Sequence, residues 1–121
     1  MKVSGVVKRH KGNGRKFGYP TADIEVAADA EEGVFIGWTT LNEQRLPSLI
    51  FVGTAETLGE TNKRLESYIL DFPDHDLYGE TIEVELGKKL RDNEKFDSID
   101  ALIEQMHQDE KAAKSYFDSL Q

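Results

Sequence analysis

The sequence predicts a small, mainly β domain, a barrel or sandwich of short strands closed by one long C-terminal helix. Three observations carry this. Apolar, β-branched and aromatic residues gather in short runs separated by Gly, Pro, Asn and Asp. After Ser98 the apolar spacing changes to a helical period. The length, 121 residues, suits one domain with a single core, and no repeat or linker interrupts it.

The first strand candidate is Lys2–Val7, and a loop with three glycines follows from Lys8 to Tyr19. Ala22–Val26 alternates apolar and polar, as a half-buried strand does. Gly33–Thr40 is β-branched and aromatic, and Leu41-Asn42-Glu43-Gln44 reads as a hairpin turn into Arg45–Val52. Pro47 lacks an N–H donor, so an edge position is expected near the start of that strand. A polar loop, Gly53–Lys63, leads to Arg64–Phe72, and a turn through Pro73-Asp74-His75-Asp76 leads to Thr81–Leu90. In the C-terminal segment Ile99, Leu102, Ile103, Met106, Ala113, Tyr116, Phe117 and Leu120 form an apolar stripe. Asp97 or Ser98 supplies the N-cap oxygen, and Asp100 favours the first turn.

Composition narrows the function. The chain has no cysteine, so disulfides, thiolate metal sites and cysteine nucleophiles are excluded. Its N-terminus has no signal-peptide core, and no apolar run approaches the roughly 20 residues of a membrane span. A soluble, cytoplasmic, monomeric protein is expected. The net charge of −8 is unevenly spread. Lys2, Lys8, Arg9, Lys11, Arg15 and Lys16 lie in the first 22 residues, which contain no acid. An acidic body argues against nucleic acid, and the basic loop is either a site for one local anion or a solvated surface.

Two constellations could carry chemistry. In Gly12-Asn13-Gly14-Arg15-Lys16-Phe17-Gly18-Tyr19-Pro20-Thr21-Ala22-Asp23, glycines let backbone N–H groups approach a ligand, and Arg15 and Lys16 add charge. Thr21 and Asp23 offer two oxygens on one side of an extended strand, which suits a hard cation such as Mg²⁺. The glycine spacing is not that of a Walker A loop. In Leu65–Phe72, read as a strand, Glu66 shares one face with Tyr68, Leu70 and Phe72. A carboxylate on a largely apolar face is either a general base or lies at a wet strand start. His10, His75 and His107 lack metal-ligand spacing and are read as surface residues.

Taken together, these segments resemble the riboflavin kinase family. The matching pieces are Gly14-Arg15-Lys16-Phe17-Gly18-Tyr19-Pro20-Thr21-Ala22-Asp23, Gly33-Val34-Phe35, Leu65–Phe72, Asp76-Leu77-Tyr78-Gly79, Leu90-Arg91, Phe96-Asp97-Ser98 and the helix containing Asp109. The resemblance implies a six-stranded antiparallel Greek-key β-barrel with a C-terminal helix. It implies transfer of the γ-phosphoryl group of Mg-ATP to the ribityl 5′-hydroxyl of riboflavin, giving FMN and ADP. Flavin is then substrate and product rather than cofactor. Carried over residue by residue, Gly12, Gly14, Arg15, Lys16, Gly18, Pro20 and Thr21 would bind ATP. Thr21 and Asp23 would hold the Mg²⁺, Glu66 would be the catalytic base, and Arg91 and Phe96 would bind the flavin. One domain of this length is expected to stop at FMN, without an adenylyltransferase half.

Three departures from the family pattern stand out. Asp23 replaces the usual Asn, Ala55-Glu56 replaces Arg-Pro, and Asn93 replaces a Glu. They leave room for an alternative, a catalytically weakened flavin- or nucleotide-binding regulatory domain on the same fold. A third reading, a small RNA-binding barrel, rests on the basic loop alone and lacks an exposed aromatic platform.

Overall fold

The computed structural model describes residues 1–8, 18–54, 62–73 and 77–120. Among these residues are six strands: β1 (Lys2–Val6), β2 (Ala22–Ile24), β3 (Gly33–Leu41), β4 (Gln44–Gly53), β5 (Arg64–Ile69) and β6 (Thr81–Arg91). One helix, α1 (Ile99–Ser119), follows. All strand pairs are antiparallel, in the order β1-β6-β3-β4-β5-β2. Consecutive β3, β4 and β5 form a meander, and β6 returns to lie beside β3, which is a Greek key. The Lys8 N–H donates to the Asp23 carbonyl at 2.9 Å, drawing the two sheet ends together into a nearly closed barrel.

The sequence explains the hairpin and the bend. Asn42 and Glu43 take φ of 49° and 67°, so a two-residue turn pairs Leu41 with Gln44. Register shifts where β3 meets β6, next to Gly37. A Cβ on Gly37 would stand 2.1 Å from the Glu85 carbonyl oxygen, so only glycine admits this approach. The barrel interior holds Ile24, Phe35, Ile50, Val52, Leu65, Ile82 and Val84. Within it Ser48, Thr39 and Ser67 satisfy one another: Ser48 Oγ lies 2.8 Å from Thr39 Oγ1, which lies 2.6 Å from Ser67 Oγ.

Helix α1 packs outside the barrel, placing Ala113 and Phe117 on Ile36 and Leu70, with Trp38, Leu49, Tyr68 and Leu90 around them. Its N-cap is Ser98, whose hydroxyl accepts from the Ala101 N–H at 3.1 Å.

Four sequence expectations need correction. The strand expected over Ala22–Val26 ends at Ile24, and the chain then turns through Ala27–Ala30. The strand expected over Arg64–Phe72 ends at Ile69, and Asp71 takes a φ of 56°. Pro47 lies in an interior strand rather than an edge. Its carbonyl accepts from the Leu70 N–H beyond the last β4–β5 pair, so its missing donor falls where that ladder has already ended. Ile99 and Leu120 are exposed, since the helix ends overhang the surface that its middle covers.

Candidate active site

Thr21 sits at the entry to β2, behind Pro20, whose ring fixes the backbone approach. In the β2–β5 ladder Asp23 is directly opposite Glu66. The Thr21 hydroxyl donates to Asp23 Oδ1 at 2.8 Å and lies 3.4 Å from Glu66 Oε1. Asp23 is buried, and Arg64 Nη1 approaches its other oxygen at 3.9 Å. Two carboxylates, a hydroxyl and a guanidinium therefore converge at the short ladder that closes the barrel. Beside them a recess is lined by Pro20, Thr21, Ser67, Phe72, Pro73, Leu77 and Tyr78.

Glu66 is not on the face that fills the barrel. Leu65, Ser67 and Ile69 point inward, and Glu66 and Tyr68 alternate with them on the outer face. Tyr68 and Leu70 of that outer face pack against the helix, and Glu66 is half-buried.

A second group lies next to the first. Tyr19 and Tyr68 meet edge to face, with ring centroids 5.0 Å apart. Their hydroxyls donate to the two oxygens of one carboxylate: Tyr19 to Glu110 Oε1 at 3.1 Å, Tyr68 to Glu110 Oε2 at 3.0 Å. The Tyr19 hydroxyl also contacts His107 Nδ1. Lys114 Nζ stands 3.5 Å from Glu110 Oε2 and 3.4 Å from Asp71. Burial, reinforced by the hydrogen bond to the negative Glu110, pushes the Tyr68 phenol up to about 12. The same causes raise the Tyr19 phenol further.

A third group joins the end of β6 to α1. Arg91 forks onto the buried Asp109, with Nε 3.0 Å from Oδ1 and Nη2 2.8 Å from Oδ2. Gln105 Nε2 donates to Asp109 Oδ1 at 2.9 Å, and the Arg91 guanidinium lies 5.8 Å from the Phe96 ring. Asn93 Nδ2 donates to the Val52 carbonyl at 3.0 Å and stands 2.3 Å from where a Cβ on Gly53 would be.

Of the sequence candidates, Thr21, Asp23 and Glu66 come together, while Arg91 and Phe96 form their own group at the strand–helix junction. Gly18 is exposed at a φ of 88°. Gly12, Gly14, Arg15 and Lys16 lie outside the described residues, as do His10, His75, Ala55 and Glu56. His107, read as a surface residue, touches Tyr19. Tyr19, Tyr68 and Glu110 were missed as a set. The only signal was spacing: Tyr19 precedes Thr21 by two residues, and Tyr68 follows Glu66 by two.

Comparison with known proteins adds to this geometry. A family model described as Flavokinase: Riboflavin kinase matches residues 1–117. The chain is 35% identical over 118 residues to the bifunctional riboflavin kinase/FMN adenylyltransferase of Escherichia coli K12, covering 95% of this chain and 37% of that one. It is 30% identical over 118 residues to human riboflavin kinase, covering 91% of this chain and 76% of that one. The crystal structure of riboflavin kinase from Trypanosoma brucei superposes with a TM-score of 0.70 at 20% identity, over 97% of this chain and 79% of that one, a likeness of fold. The chain spans well under half of its bifunctional bacterial relative.

Proposed function

This chain belongs to the riboflavin kinase family, and we propose that it transfers the γ-phosphoryl group of Mg-ATP to the ribityl 5′-hydroxyl of riboflavin, giving FMN and ADP. The observation that carries the reading is the convergence of Thr21, Asp23 and Glu66 across the β2–β5 ladder. Phosphoryl transfer needs an oriented hydroxyl, positive charge on the phosphates and a proton acceptor. Glu66 is assigned to the last role. It takes the 5′-hydroxyl proton as the new O–P bond forms and the bond to the β–γ bridging oxygen breaks, leaving ADP.

Thr21 and Asp23 present an all-oxygen donor pair, which fits a hard cation that takes few protein ligands. No group of three or more His, Cys, Asp or Glu that could hold a metal occurs among the described residues, in keeping with an ion held largely by nucleotide and water. When bound, such an ion supplies positive charge to the β- and γ-phosphates. Because Asp23 accepts the Thr21 proton, a lone pair on Oγ1 is left for that ion. Arg64 beside Asp23 offsets part of the negative charge that the carboxylate adds where the family carries an amide.

The loop with Gly12, Gly14, Arg15, Lys16 and Gly18, and Pro20 after it, is assigned to the ATP phosphates. Arg91 and Phe96 are assigned to the flavin side. With its guanidinium engaged by Asp109, Arg91 serves there by fixing the segment that presents Phe96. Free riboflavin and ATP, without nucleic acid or membrane, are the substrates of a cytoplasmic monomer in this reading. No described helix is long and apolar enough to cross a membrane.

The test is incubation with riboflavin and Mg-ATP followed by chromatography. FMN and ADP should form in equal amounts. Flavin binding without FMN from any nucleoside triphosphate would favour the regulatory-domain reading, which Asp23 and Asn93 at family Asn and Glu positions support.

A further inference from the structure

We infer that Glu110 is a positioning residue for phosphoryl transfer, because its carboxylate ties Tyr19 to Tyr68 and so sets the spacing between Thr21 and Glu66. The inference rests on the riboflavin kinase reading above.

The β2–β5 ladder is short. Ala22, Asp23 and Ile24 pair with β5, and Thr21 lies just beyond the Ala22–Ser67 pair that ends the ladder on its side, a terminal position that opens readily. Tyr19 is joined to Thr21 through the stiff Pro20. Tyr68 follows Glu66 by two residues and shares its outer face of β5. One phenol therefore reports the position of the hydroxyl segment, and the other that of the carboxylate strand. Both donate to the same side chain, at 3.1 and 3.0 Å, and their rings pack edge to face. Glu110 bridges the two segments just beyond the point where the ladder stops.

The proton count is self-consistent. Tyr19 has one hydroxyl hydrogen, and donating it to Glu110 leaves its oxygen to accept from His107 Nδ1–H. Tyr68 fills the second carboxylate oxygen, which also faces Lys114. Glu110 in turn is held by α1, whose preceding residue, Asp109, is forked by Arg91. Two consecutive helix residues thus anchor the groups on either side of the proposed reaction.

The test uses Glu110→Gln, which keeps the shape but offers one acceptor oxygen instead of two. Turnover of riboflavin should fall about tenfold, as expected when reacting groups are misplaced by a fraction of an ångström to an ångström. KM for both substrates should stay within about threefold, since no substrate-binding group is removed. Adding Tyr19→Phe and Tyr68→Phe to Glu110→Gln should cost little more, because all three remove one linkage. Amide hydrogen exchange gives a readout independent of catalysis. The Ala22 and Ser67 amides, at the Thr21 end of the β2–β5 ladder, should exchange faster in Glu110→Gln while β3–β4 amides do not change. Unchanged β2–β5 exchange would overturn the inference, even if the wild-type chain makes no FMN. A lower melting temperature with unchanged kcat would also overturn it, leaving Glu110 a helix-docking residue. Should Glu110→Gln not fold, Tyr19→Phe and Tyr68→Phe, which leave charge unaltered, carry the same two readouts. A wild type that makes no FMN, with β2–β5 exchange still faster in the variant, overturns only the kinase reading on which the catalytic half depends.

Discussion

Asp23 and Glu66 face each other directly across β2 and β5, with the Thr21 hydroxyl donating to the first at 2.8 Å and 3.4 Å from the second. Two acids at one ladder position repel unless a cation or a proton lies between or beside them. Arg64 supplies one positive charge to the Asp23 side.

Glu66→Gln should fold and bind riboflavin and Mg-ATP with little change. Gln matches Glu in shape but does not accept a proton at neutral pH, so single-turnover FMN formation should drop by roughly 10²–10⁴-fold, the usual worth of a positioned base. A folded variant that works at close to the wild-type rate would remove Glu66 from the base role.

Asp23→Asn restores the family residue. Its carbonyl can still accept from Thr21, so the fold and the Thr21 rotamer should persist. FMN formation should equal or exceed that of the wild type, because a negative charge near the triphosphate is gone. Lost activity in a folded Asp23→Asn protein would show that the carboxylate itself is required.

Asp109→Ala should destabilise the chain by about 3 kcal/mol, toward the lower end of the range for breaking a buried pair, since Arg91 keeps some exposure to water. The urea midpoint should fall with the m-value unchanged. A midpoint within error of the wild type would mean that the fork contributes nothing net, as many ion pairs do.

Alkaline titration should separate Tyr19 and Tyr68 from free tyrosine. Their folded phenols lie above the ordinary value of 10.0, Tyr68 at about 12. Raised folded values mean that this stabilisation is whole below pH 10 and is lost as pH climbs from there through about 12. Tyrosinate absorbance should therefore rise late in the native protein relative to the denatured chain. Glu110→Gln should move that rise to lower pH, since the variant removes one of the two acceptor oxygens and the negative charge. An unmoved titration curve would show that burial alone holds the phenols protonated.

By itself the sequence determined the six strands, the helix and the hairpin at Asn42-Glu43, because alternation, helical period and turn residues act over a few neighbours. It also singled out Thr21, Asp23 and Glu66, though their meeting depends on a pairing between segments 45 residues apart. Tertiary structure decided what local pattern could not reach. The strands end at Ile24 and Ile69 because the chain turns away after them, through Ala27–Ala30 and at Asp71, and not from apolar content. The outward face of Glu66 depends on which side of β5 the barrel closes. The Tyr19–Glu110–Tyr68 bridge joins a loop, a strand and a helix whose separation along the chain hides any common period. Asp109 sits among apolar helix positions because Arg91, at the end of a distant strand, neutralises it there. A buried charge is tolerable only with such a partner, and only the folded chain brings the two within reach.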